Sequence, residues 1–128
     1  HALSADELSD LQARKTGALL SGACMLGAAA AGACDEDIDT ASQYGAQLGA
    51  AFQIRDDMLD VLSTVGELGK PIGSDKREGK TTFMSLYGEA GCSRMVEKIT
   101  ARACSTVEKM DTNGFLRELA AKMATRRG

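Results

Sequence analysis

Apolar residues recur at helical spacing along most of this chain, and no alternating strand pattern interrupts them. Ser4-Ala5-Asp6-Glu7 has the form of a capping box ahead of an apolar edge at Leu8 and Leu11, which predicts a first helix over 5–14. Lys15-Thr16-Gly17 marks either a break or the first turn of a second helix, which should reach Ala31 and stop at Gly32. A third helix is expected over 37–62. On a wheel of about 100° per residue, Leu48, Ala51, Ile54, Met58, Leu59 and Leu62 form its core side. The glycines between Thr64 and Lys80 predict a loop. A short helix over 81–87 should end near Gly88. A further helix over 89–110 carries Cys92, Met95, Val96, Ile99, Ala103 and Val107 on one face. Asp111-Thr112-Asn113-Gly114 is a turn, and Phe115, Leu116, Leu119, Ala120 and Met123 mark a last helix before a basic tail. The expectation is one all-α unit over 1–128, with no internal repeat or interdomain linker.

Composition narrows the function. A net charge of -3, 4% aromatic residues and no tryptophan argue against nucleic-acid binding by bulk charge or base stacking. Abundant alanine and glycine favour helices packed closely through small residues. The cysteines, Cys24, Cys34, Cys92 and Cys104, form no C-x-x-C pair, and the histidine is His1, so zinc ligation has no support. Reduced, buried thiols in a cytoplasmic protein are expected. The uncharged run from Gly17 to Cys34 is long enough to raise a membrane span, but it is mostly alanine and glycine and follows an acidic amphipathic segment. It reads as an internal helix, with no integral membrane association. The chain begins at His1 rather than methionine, which leads us to expect a piece of something longer.

The polar side of the third helix carries the chemistry. Gln53, Asp56, Asp57 and Asp60 fall within an arc of roughly 100°, and the same face continues backwards into Ala46 and Gly49, the floor of a groove. Asp56 and Asp60 stand one turn apart and can hold one Mg²⁺, which prefers a few carboxylates completed by water and phosphate oxygens. An ordinary solvated acidic face would cost such a helix about 0.2–0.5 kcal/mol per like-charged pair, and Arg55 lies off to one side. Lys70 and Lys80 lie in the glycine-rich segment, where flexible cations can close over a phosphate. Lys15 and Thr16 offer a cation and a hydroxyl at a helix opening, where free backbone N–H groups could help hold an anion. Gly73 to Thr81 is not a P-loop. Five residues separate Gly73 from Gly79, where that motif needs four, and a helix rather than a strand precedes it. Neither a Ser/His/Asp nor a Cys/His set is available for nucleophilic catalysis.

Together these motifs resemble the C-terminal half of a trans-isoprenyl diphosphate synthase. Lys15-Thr16-Gly17, Phe52-Gln53 with Asp56-Asp57 and Asp60, Gly69-Lys70 with Gly73-Ser74-Asp75, and Gly79-Lys80 follow the family's order. The run Lys-Thr-Gly-Ala-Leu-Leu is most similar to bacterial farnesyl diphosphate synthases. The resemblance implies an all-α bundle around a deep cavity and the joining of an allylic diphosphate to isopentenyl diphosphate with Mg²⁺. It implies that Asp56, Asp57 and Asp60 bind the metal, with Asp56 the principal ligand and Asp75 supporting it through water. Lys15, Thr16, Lys70 and Lys80 would hold the allylic diphosphate, Gln53 would line the reaction site, and Arg126-Arg127 would help cover the isopentenyl diphosphate site.

The first aspartate-rich motif and the N-terminal isopentenyl diphosphate site of that family are not in this chain. The chain alone is therefore expected to be inactive. Its exposed apolar surface should drive self-association, as a homo-oligomer, or pairing with the missing N-terminal half. A non-catalytic subunit or interaction module of a heteromeric synthase is the alternative. A terpene cyclase fits less well, because its second metal motif is usually an Asn/Asp, Ser/Thr, Glu triad. Product length has no determinant in this half.

Overall fold

The computed structural model describes residues 3–67 and 81–126, and side chains through residue 61 of the first stretch. Its elements are α1 (Ala5–Gln12), a π turn (Ala13–Gly17), α2 (Ala18–Ala30), α3 (Asp35–Glu67), α4 (Phe83–Val107) and α5 (Phe115–Thr125). The described residues form no strand, so the all-α expectation holds.

Local signals set most boundaries. The Ser4 hydroxyl accepts from the Glu7 N–H at 3.1 Å and opens α1. Gly32, at φ +82°, closes α2, with the Gly32 N–H on the Ala29 carbonyl and the Ala33 N–H on the Ala28 carbonyl. Gly88, at φ +71°, kinks α4 where the sequence predicts a break. Thr82 and Ser85 form a reciprocal capping box at its start. Before α5, Asp111 is buried and accepts from the Leu116 and Arg117 N–H groups at 2.9 and 3.1 Å and from the Arg117 guanidinium at 3.3 Å. Burial alone would raise its carboxyl, but these donors outweigh it and hold the pKa below the ordinary 3.8. α3 runs longer than expected at both ends. The loop expected from Thr64 is helix as far as Glu67, and the rest of it lies outside the described residues.

α3 is the central helix, packed chiefly against α2 and α4. One core joins Ile54 and Met58 to Leu8, Phe83, Cys92 and Val96. The other joins Tyr44 and Leu48 to Ala103, Val107 and Ala120. Burial of a side chain the size of Ile54 stabilises the fold by about 1.5–3 kcal/mol. The buried Tyr44 hydroxyl donates to the Leu116 carbonyl at 2.8 Å, and burial pushes its pKa up to about 12. Small residues let α2 approach α3. A Cβ on Gly45 would sit 2.6 Å from the Leu20 carbonyl oxygen, and one on Gly49 would sit 3.0 Å from the Gly17 Cα. Ser21 and Ser42 share a 2.6 Å hydrogen bond across the same seam.

Some expectations need correction. Phe115, the first residue of α5, is 59% exposed, while Leu116 and Leu119 pack against the second core. Cys34 is exposed and Cys24 and Cys104 are half-buried, so only Cys92 fits the buried-thiol expectation. All four cysteines are free. No described helix is long and apolar enough to cross a membrane. α2 buries none of its residues completely, and Leu19 and Leu26 on its outer side are 73% and 74% exposed.

Candidate functional site

α3 carries its polar face beside the π turn. The extra residue in that turn keeps α1 and α2 continuous while changing the direction in which side chains leave it. Thr16 consequently meets α3, and the Gln53 side-chain amide donates to its hydroxyl at 2.6 Å. Lys15, the preceding residue, is exposed. No helix begins at Lys15-Thr16. The Ala18 N–H is bonded back to the Ala13 carbonyl, so free backbone donors for an anion do not exist at this point. Any anion held here must be held by side chains.

The three aspartates have different surroundings. Asp56 is exposed, and its Oδ1 accepts from Arg126 Nη2 at 3.2 Å. Asp57 is half-buried, and its Oδ2 accepts from the Phe83 N–H at 2.9 Å. That places negative charge at the N-terminus of α4, where the helix dipole favours it. Burial, and secondarily the same carboxylate, push the Cys92 thiol up to about 11. Asp60 is exposed. Asp56 and Asp60 stand one turn apart at the surface as hard oxygen donors, which suits Mg²⁺ completed by water and phosphate oxygens. Among the described residues, no group of three or more carboxylate, histidine or cysteine side chains forms a cage that would hold a metal by itself.

Arg126 lies directly after α5, and its guanidinium lies 4.3 Å from the centroid of the Phe52 ring. Arg55 Nε donates to the Arg126 carbonyl at 3.0 Å. Arg55 was missed as a tether in the sequence, where it reads as a charge too far off the acidic face to neutralise it. Phe52 was quoted there for its motif, without a contact. Lys70, Lys80 and Asp75 lie outside the described residues, as does Arg127.

The expected groove floor is only partly open. Gly49 is covered by the backbone of Thr16 and Gly17, which is why it carries no side chain. Ala46 is exposed and, with Ala50, Ile54, Phe83, Met95 and Ile99, borders an apolar gap of about 140 Å³ between α1, α3 and α4.

The polyprenyl synthetase family model matches residues 1–114. The geranylgeranyl diphosphate synthase of Sulfolobus acidocaldarius is 43% identical over 97 residues, covering 76% of this chain and 29% of the relative. That of Cyanophora paradoxa is 39% identical over 110 residues, covering 86% and 37%. The short chain isoprenyl diphosphate synthase of Methanothermobacter thermautotrophicus is 43% identical over 127 residues, covering 90% and 39%. The chain spans about a third of the length of the curated relatives it matches.

Proposed function

The chain belongs to the polyprenyl synthetase family, and from that premise we propose that it supplies the allylic-diphosphate half of a prenyltransferase site. The complete enzyme would join an allylic diphosphate to isopentenyl diphosphate, giving farnesyl or geranylgeranyl diphosphate. The observation that supports this most is the 2.6 Å Gln53–Thr16 hydrogen bond. It ties the Lys-Thr turn to α3 one turn before the first aspartate, so a cation and a carboxylate pair can serve one diphosphate.

Asp56 and Asp60 would hold Mg²⁺, which supplies charge that stabilises the departing diphosphate. Asp57 contributes by fixing the start of α4 against the acidic turn. Lys15, Thr16, Lys70 and Lys80 would hold the diphosphate oxygens, and Gln53 would orient Thr16 and line the reacting end. Bond breaking at the allylic carbon then needs no side-chain nucleophile. The double bond of isopentenyl diphosphate attacks the cation, and the released diphosphate takes the proton. The N-terminal part of the complete enzyme would bring the first aspartate-rich motif and the isopentenyl diphosphate site, and would cover Leu19 and Leu26. This chain alone is then inactive.

Calorimetry with a non-ionisable allylic diphosphate analogue tests this proposal. Binding that requires Mg²⁺ and is lost in Asp56→Ala supports it. Binding unaffected by either omission would sink it.

A further inference from the structure

We infer that Arg126 is a built-in counter-cation that occupies Asp56 in the metal-free chain and must be displaced when a divalent ion binds there. This rests on the reading of Asp56 as a metal ligand. Several features mark the contact as an exchangeable seat rather than a structural clamp.

The geometry is one-pronged. Arg126 reaches Asp56 through Nη2 alone, at 3.2 Å, whereas arginine clamps on carboxylates are commonly bidentate and shorter. Its Nε is buried without a hydrogen-bond partner among the described residues, so the seat leaves that donor unmet there. Asp56 itself is 57% exposed, so water and ions reach it without the fold opening. The backbone of the residue is held independently. The Arg126 carbonyl is tied by Arg55 at 3.0 Å, whereas its guanidinium is seated only by Asp56 and by the Phe52 ring, 4.3 Å from the centroid, among the described residues.

A double charge at Asp56 would therefore release the guanidinium without releasing the backbone. The freed cation stays tethered beside the acidic turn, where a metal-bound diphosphate would present oxygens that suit a guanidinium better than a single carboxylate oxygen does. Metal binding and release of the side chain are one linked equilibrium. Occupancy of the seat weakens apparent metal affinity by the fraction of chains in which Asp56 is paired, and metal empties the seat by the same factor.

Mn²⁺ alone, titrated into the 128-residue chain and followed by loss of the free-ion EPR signal, reads the competition directly. Arg126→Gln should bind Mn²⁺ about three- to tenfold more tightly than the unaltered chain, the range expected of a partly exposed ion pair backed by a ring contact. Asp56→Ala should lose that binding. A second measurement needs no variant. The Arg126 side-chain NMR signals, shifted by the Phe52 ring, should move towards unshifted positions as Mg²⁺ is added. Signals that stay ring-shifted at saturating Mg²⁺, or an Arg126→Gln affinity equal to or weaker than that of the unaltered chain, would overturn the exchange while leaving the metal site standing. If Asp56→Ala binds Mn²⁺ as well as the unaltered chain does, or if no chain binds it, the metal-site reading falls and the exchange falls with it.

Discussion

The two halves of α3 are built on opposite terms. From Tyr44 to Gly49 the helix is locked. Gly45 and Gly49 lie against the backbone of Leu20 and Gly17, and the Tyr44 hydroxyl is spent on the Leu116 carbonyl. From Gln53 to Asp60 its outward side chains are polar and reach other segments through hydrogen bonds, Gln53 to Thr16, Asp57 to the Phe83 N–H and Asp56 to Arg126, with Asp56 and Asp60 exposed. A rigid, apolar half can hold a charged half in place without neutralising it. Like charges one turn apart cost a little helix stability, and neighbouring packing outweighs that cost.

Gly45→Val should damage the locked half most. Its side chain would have to displace the Leu20 carbonyl, and overpacking of this kind costs about 1–3 kcal/mol or more. A urea midpoint close to that of the unaltered chain would contradict the close-packed seam. Tyr44→Phe tests the same half more gently, with an expected loss of about 1 kcal/mol in urea unfolding, because the Leu116 carbonyl loses its donor.

Acid should act through Asp111, at the C-terminal end of the locked core. Its folded pKa is lowered, so its stabilising contribution is present above the ordinary value of 3.8 and is lost as pH falls below it through the folded value. Asp111→Asn should be less stable at neutral pH and should lack that part of the acid-dependent decline. Parallel pH profiles for the two proteins would contradict this assignment.

The charged half should respond less. Asp56→Asn removes a like charge one turn from Asp60 together with a partly exposed contact to Arg126, so stability in the absence of metal should change by less than about 1 kcal/mol. A fall well beyond about 1 kcal/mol in urea unfolding would mean that the Asp56–Arg126 contact is a structural clamp, because exposed ion pairs contribute about 0–1 kcal/mol.

The locked half was largely legible in the sequence, because its rules are local. Apolar spacing marked Leu48 as core, and the same side of α3 onward through Ala51, Ile54 and Met58, while Gly32, Gly88 and Gly114 announced three left-handed positions elsewhere in the fold. The charged half was legible as a set of residues but not as an arrangement. That Asp57 meets the start of α4, 26 residues on, and that Asp56 meets Arg126, 70 residues on, follows from the directions in which α4 and α5 leave their turns. Helical period says nothing about either direction. The π turn was equally hidden. Lys-Thr-Gly reads as a helix opening, and only the continuous helix shows that its backbone donors are already used.

The central claim is that the Gln53–Asp60 half of α3 forms, with the Lys-Thr turn, a seat for a metal-bound diphosphate. Urea unfolding of the chain with Mg²⁺, in the presence and absence of inorganic diphosphate, tests it most directly. The account predicts that the two together raise the midpoint, as a ligand of the native state must, and that the rise disappears in the Asp56→Asn/Asp60→Asn double variant. An equal rise in the double variant, or no rise in the unaltered chain, would contradict it.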